Sequence, residues 1–167
     1  MAVAVASAET VTNLFQFDAG PKTFDSFGVG SPAFLNSLAT LGAGHGIWAL
    51  SDGASAWEVA DLPVADFRTI DLEAGFNLVA WFEPDATPIG EALGPLRASV
   101  VRAFGWVAAE QRFKTFDPAR AFLSDFDTLA RGEALWLDMT GAARWEQPSS
   151  VAPVPETLVP AAEGGVR

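Results

Sequence analysis

Apolar residues along this chain recur mostly in alternation or in short unbroken runs, the patterns of half-buried and fully buried strands, and seldom at helical spacing. Residues 3 to 17 run apolar or alternate, with Val3, Val5, Val11 and Thr12 leading to Leu14, Phe15 and Phe17, which predicts one or two strands. Asp18-Ala19-Gly20-Pro21 turns the chain, Lys22 to Phe27 returns as the second arm of a hairpin, and Gly28 to Pro32 breaks it. Phe34, Leu35, Leu38 and Leu41 have helical spacing over too few residues for an independent helix, so a short helical patch is expected. Gly42, Gly44 and Gly46 then lead into a buried strand at Ile47-Trp48-Ala49-Leu50, and Trp57 to Val59 returns after a turn.

Farther along, residues 67 to 72 alternate, and Glu73-Ala74-Gly75 turns into Phe76 to Phe82, the most apolar strand of the chain. Thr87 is placed to cap a short helix with Pro88 at its first position, Ile89, Leu93 and Leu96 on one face, and Gly94-Pro95 at its end. Strands are predicted at 100–107, 112–116 and 134–139, separated by a turn at 108–111, an Asp117-Pro118 breaker and a weakly helical patch at 122–129. Trp145 closes the unit, and beyond Gln147 the prolines at 148, 153, 155 and 160 predict an extended tail.

Two stretches of this pattern match each other. At an offset of 89, Phe15, Phe17, Phe24 and Phe27 fall on Phe104, Trp106, Phe113 and Phe116. After a one-residue slip to 88, Phe34, Leu38, Leu41 and Gly44 fall on Phe122, Phe126, Leu129 and Gly132, Trp48 on Trp136, and Trp57 on Trp145. Random placement of aromatic residues does not produce such a run, so the chain is read as carrying an internal duplication. The expected fold is mainly β with short helices, one and a half pseudo-repeated β modules packed together. An N-terminal strand and half-module span 1–60, a full module spans 61–147, and a Pro-rich tail spans 148–167.

Leu72-Glu73-Ala74-Gly75-Phe76-Asn77-Leu78-Val79-Ala80-Trp81, then Glu91-Ala92-Leu93, the hairpin from Val100 to Phe116 with Asp117-Pro118, and Phe126 to Leu137 resemble a known module. It is the aromatic-rich Gly-Phe/Trp-Asn-Leu-Val-x-Trp tandem module of bacterial exported and cell-surface proteins. The resemblance covers a full unit from about 66 to 146 and the second half of another at 10–58. It implies secretion and a structural or adhesive context, and it brings no catalytic residues. The first half-unit lacks its own Gly-aromatic-Asn-Leu strand. Three completions are open: sharing the strand at 76–82, pairing with another copy of the chain, or an upstream segment.

Composition narrows the function classes. The chain has 167 residues, half of them apolar, enough for a sizeable core. Its 13 Phe and 6 Trp with no Tyr favour packing over hydrogen-bonded recognition. A net charge of −11, with basic residues forming no run, argues against nucleic acid and anionic membrane surfaces as partners. The absence of cysteine removes disulfides, thiolate nucleophiles and cysteine zinc sites, and leaves the compartment open. No apolar stretch is long enough to cross a membrane as a helix, so no membrane insertion is expected. Ala6-Ser7-Ala8 fits the small-x-small pattern of a signal-peptidase site without a basic n-region. It reads either as the end of a longer signal or as a strand of small residues.

Candidate sites are few. His45, between two glycines, is the only histidine; its counterpart in the second copy is Glu133, so any general-base or metal role is not shared by the two copies. Asp125 and Asp127 are weak calcium candidates, and with no Asp-x-Asp-x-Asp-Gly loop, solvated turns explain the carboxylates better. Neither a nucleophile elbow nor a phosphate loop is present. No catalytic residue, resident metal or other cofactor is expected, calcium being the one open possibility. The expectation is a non-enzymatic structural or interaction subunit of an extracellular or cell-surface assembly, associating with itself or other surface proteins through strand edges. Val3, Val5, Val11, Leu14 and Phe15 would form the added strand. One alternative is a carbohydrate-binding module stacking glycan on Trp57 or Trp145, which stand among small or charged residues. Another is a virion or phage-tail structural component.

Overall fold

The computed structural model describes residues 10–42, 44–53, 69–83 and 86–147. It is mainly β, as the alternation predicts, with one short helix. In chain order the strands are β1 (Val11–Asp18), β2 (Thr23–Gly28), β3 (Ile47–Ser51), β4 (Thr69–Leu72), β5 (Gly75–Ala80) and β6 (Thr87–Pro88). Helix α1 (Ile89–Leu93) follows, then β7 (Val100–Val107), β8 (Arg112–Phe116), β9 (Thr128–Leu129), β10 (Ala134–Met139) and β11 (Ala143–Glu146). They form a three-stranded sheet in the order β2-β1-β3 and a four-stranded sheet in the order β5-β10-β7-β8. Two short pairs, β11-β4 and β6-β9, complete the pairing among the described residues, and every pairing is antiparallel.

The two hairpins turn in the same way. Lys22 and Gln111, related by the offset of 89, hold φ of 60° and 51° at the residue before β2 and β8. Asp18 Oδ1 accepts from the Gly20 amide at 2.9 Å in the first, and the Gln111 amide nitrogen Nε2 donates to the Ala108 carbonyl at 2.7 Å in the second. Each side chain offers the turn a local partner, which offsets the strain of a left-handed residue.

The larger core lies under one face of the four-stranded sheet. Alternation along β10 sends Leu135, Leu137 and Met139 inward, where they meet Ile89, Leu93, Leu96, Phe126 and Leu129. Trp81 and Trp145 stack at 5.9 Å with 24° between planes, and the Trp145 indole N–H donates to the Ala92 carbonyl at 3.2 Å. Buried polar groups tie the strand ends. Asn77 Oδ1 accepts from the Glu73 amide at 2.8 Å, while its Nδ2 donates to the carbonyls of Glu73 and Gly75 at 2.8 and 2.9 Å. Asparagine two residues after Gly75, whose φ is +78°, therefore closes the β4–β5 turn. Gln147 donates to the Ala80 carbonyl and accepts from the Phe82 amide. The smaller core, Val11, Leu14 and Leu38 with Phe27, Leu41 and Ile47, lies under the three-stranded sheet. A register shift between Val11 and Asn13 puts Val11 beside Leu14 in that core.

Three expectations are corrected. The patches at 34–41 and 122–129 are not helical beyond single 3₁₀ turns at Ala33–Leu35 and Ala121–Leu123, because Phe34, Leu35, Phe122 and Leu123 face solvent while Leu38, Leu41, Phe126 and Leu129 turn inward. Thr87 does not cap α1; Pro88 stands at the cap with no side-chain hydrogen bond, and Thr87–Pro88 pairs with Thr128–Leu129 instead. Gly94, at φ +48°, ends the α turn, yet the chain continues as 3₁₀ through Ser99.

Candidate functional site

The feature that joins the two sheets is a layer of rings. In the four-stranded sheet, the face turned away from the core carries Phe76 on β5, Trp136 on β10, Phe104 and Trp106 on β7, and Phe113 on β8. Trp136 lies opposite Phe104, and Trp106 opposite Phe113. In the three-stranded sheet, Phe17 lies opposite Phe24, and Phe15 opposite Trp48. Phe17 meets Trp136 edge-on at 4.9 Å, and Trp48 meets Trp106 at 5.0 Å. The sequence offset exchanges these two contacts: Phe17 corresponds to Trp106, and Trp48 to Trp136. The same exchange relates Phe24–Trp136 at 6.0 Å to Trp48–Phe113 at 6.1 Å, and Phe17–Phe24 at 5.1 Å to Trp106–Phe113 at 4.9 Å. Edge-to-face and tilted geometries at these separations add to the burial of the rings themselves.

A second seam runs through the glycines before β3. The Gly46 amide donates to the Leu78 carbonyl and the Ala80 amide to the Gly44 carbonyl, both at 3.0 Å, in a single antiparallel bridge from His45 to Val79. A Cβ on Gly46 would stand 2.9 Å from Leu78 Cγ and Ala134 Cβ, so glycine is what permits this approach. This bridge connects the segment before β3 to β5. Lys22 adds a third tie, donating to the carbonyls of Ala74 and Phe76 at 2.7 and 3.2 Å.

Between the sheets a cleft of about 360 Å³ remains, lined by Phe17, Phe76, Phe104, Phe113 and Trp136. Phe76 and Phe113 are 47% and 43% exposed, so two of its walls border solvent. The lining offers ring faces and edges with no charged side chain, a surface for apolar groups and not for proton transfer.

The outer strands are guarded by their own loops. The Ser26 amide on β2 donates to Ser37 Oγ, the Gly28 amide to Asn36 Oδ1, and the Leu38 amide to the Ser26 carbonyl, all at 2.9 Å. On β8 the Thr115 amide donates to Asp125 Oδ1 at 2.6 Å, the Asp117 amide to Ser124 Oγ at 3.0 Å, and the Phe126 amide to the Thr115 carbonyl at 3.2 Å. These bonds fall on each other under the same offset. The Thr115 amide, with Arg112 bonded to Oδ2, holds the Asp125 carboxyl below its ordinary value. Desolvation works against ionisation of Asp117, but hydrogen bonds from Arg120 and from the amides of Ala119 and Arg120 outweigh it and lower its pKa.

The predicted site residues fare differently. Val3, Val5 and Trp57 lie outside the described residues. Val11, Leu14 and Phe15 do not form an added strand: β1 is the central strand of its sheet, bonded on both edges, and Val11 and Leu14 are core. Trp145 is 2% exposed with its indole N–H engaged, so it presents no face to a sugar. Asp125 is held by Arg112 and Thr115, and among the described residues no group of three or more acidic or histidine side chains is placed to hold a metal ion. His45 lies opposite Val79 in a bridge whose hydrogen bonds are made by its neighbours Gly44 and Gly46. No helix among the described residues is long and apolar enough to cross a membrane. Four of the five cleft rings, all but Phe76, were visible in sequence as matched aromatic positions, but alternation alone does not tell a ring facing the core from one facing a second sheet.

Comparison of the chain with protein-family models, curated proteins and solved structures finds no match in any of the three.

Proposed function

We propose that the chain is a non-enzymatic structural and interaction subunit of an extracellular or cell-surface assembly, and that it associates with itself through a strand edge. The observation that carries this reading is β3. Its counterpart β10 is bonded on both sides, to β7 and β5, whereas among the described residues β3 is bonded as a strand only to β1. The edges at β2 and β8 are guarded, and the edge at β3, with Ala49, Leu50 and Ser51 exposed, carries no such guard among the described residues. An unguarded edge is a template for strand addition. The aromatic lining of the cleft and the absence of charge from it suit contact between proteins better than reaction chemistry.

Sedimentation velocity over a range of concentrations tests this. The wild-type chain should associate reversibly, and Leu50→Lys, which places a charge on an exposed edge position, should weaken association about tenfold, a loss of roughly 1.4 kcal/mol. A wild-type chain that remains a monodisperse monomer at every concentration overturns the reading.

A further inference from the structure

We propose that the aromatic cleft is a socket for the Phe34-Leu35 turn of a second copy of this chain, so that copies join head to tail. The proposal rests on the self-association reading and names a second contact for it.

The socket has the chemistry of a knob site more than of a small-ligand site. Its five rings line an open groove of about 360 Å³ with no charged side chain among them. Small ligands are usually fixed in such a pocket by a few convergent polar groups. A knob needs none, because its own backbone supplies the orientation.

The molecule carries such a knob. Among the described large apolar residues only Phe34 and Phe122 exceed four-fifths exposure, at 86% and 85%, and each is followed by an exposed leucine. The Phe34 turn is already rigid: the Leu35 amide donates to the Pro32 carbonyl at 2.9 Å and the Asn36 amide to the Ala33 carbonyl at 3.2 Å. Asn36 Oδ1 in turn accepts from the Gly28 amide. A preorganised turn loses little entropy on docking.

Charge selects Phe34 over Phe122. From Ser26 through Ser51 the only ionisable side chain is His45, in a chain whose net charge is −11. The Phe122 turn instead stands between the Asp117–Arg120 and Arg112–Asp125 ion pairs. Copies that repel at long range approach most easily where charge is absent, and interface centres are depleted in charge.

Geometry makes the contact intermolecular. Phe17 of the socket pairs with Phe24 beside the β1–β2 turn, whereas Asn13 pairs with Gly28 at the opposite end, where the knob's loop departs. Four residues of strand separate Phe24 from Gly28, roughly 13 Å. Knob and socket are different patches, so the contact is heterologous and repeats from copy to copy.

The test uses the full chain in sedimentation velocity, with Phe34→Asp, Phe122→Asp and a synthetic peptide of residues 29–38 as competitor. Both substitutions fall on exposed side chains, and circular dichroism checks their folding. Phe34→Asp should raise the apparent dissociation constant on the order of 30-fold, with Phe122→Asp unchanged. The peptide should dissociate wild-type oligomers and shift tryptophan emission, and its Phe34→Ala form should do neither. If Phe34→Asp assembles like wild type while Leu50→Lys does not, the socket proposal fails and the strand-edge reading stands. If the wild type is monomeric throughout, both fail. Naphthalene that shifts tryptophan emission where the peptide has no effect assigns the cleft to small apolar ligands and overturns the proposal.

Discussion

The three-stranded sheet β2-β1-β3 and the strands β8-β7-β10 of the larger sheet share strand order, turn geometry, edge guards and ring contacts, yet they rest on cores of different size. Among the described residues, seventeen buried residues form the core beneath the C-terminal set and three beneath the N-terminal one. The difference lies in what covers the inner face. The C-terminal set is extended by β5 and covered by α1 and the β4–β11 pair, whereas among the described residues the N-terminal set has only its own loop at Leu38 and Leu41. Burial of apolar area is the main stabilising term, so the C-terminal unit is the scaffold and the N-terminal sheet is held to it by rings and a glycine seam.

The largest effect should come from the larger core. Trp81→Ala removes a fully buried ring stacked on Trp145 and should cost about 3–5 kcal/mol, lowering the urea midpoint of the whole chain. Leu38→Ala, in the small core, should cost about 2 kcal/mol and loosen the N-terminal sheet first. Equal losses in one shared transition would remove the distinction between scaffold and dependent sheet.

A smaller effect should follow where the two matched stretches differ in residue type. Gly105 corresponds to Gln16, Lys114 to Asp25, Glu133 to His45 and Phe126 to Leu38. In the C-terminal copy, Lys114 pairs with Glu133 at 2.6 Å and lies 4.1 Å above the Phe126 ring. A Cβ on Gly105 would stand 2.6 Å from Lys114 Cε and 2.9 Å from both Glu133 Oε1 and Phe126 Cζ. The lysine stem can move but the buried Phe126 ring cannot, so Gly105→Ala should cost about 1–3 kcal/mol. Gln16→Ala, which removes the acceptor of the Gly42 amide, should cost about 1 kcal/mol. Thermal denaturation of the two variants ranks them.

The fold class, both hairpins and the β5 strand were legible because alternation and Gly/Pro breakers act locally. The helical patches misled because Phe34 and Phe122 share the spacing of core residues while facing solvent. Periodicity records which residues could lie on one face, and nothing in it says whether that face is covered. Trp145 misled for the converse reason: its neighbours Arg144 and Glu146 point outward along β11, and alternation buries the ring between them. The cleft depends on two sheets separated by about 89 residues of sequence meeting through their outer faces, a tertiary fact with no local signature.

The ring layer offers a finer test, because its contacts come in related pairs. Double-mutant cycles on Phe17/Trp136 and on Trp48/Trp106, with alanine at each position, should give coupling of about 0.5–1.5 kcal/mol. Similar values for the two cycles would extend the likeness of the copies from geometry to energetics. A large value in one and none in the other would assign the sheet-to-sheet contact to a single pair.

The smallest effect, and the most selective, concerns pH. The guard on β8 is the Asp125 carboxylate and the matching guard on β2 is the Ser37 hydroxyl, each accepting from a strand amide. The folded state depresses the Asp125 pKa below the ordinary 3.8, through the Thr115 amide first and Arg112 second. A depressed carboxyl contributes stability fully above its unfolded value and loses it as pH falls below 3.8 and through the folded value. Ser37 does not titrate. Acidification from pH 6 to pH 3 should therefore reduce the protection of the Thr115 amide against hydrogen exchange, after correction for intrinsic rate, and leave the Ser26 amide unchanged. Asp125→Asn should abolish the difference between the two edges. Equal loss at Ser26 and Thr115 would instead mean that acid loosens both sheets together, and that the guard at β8 does not act on its own.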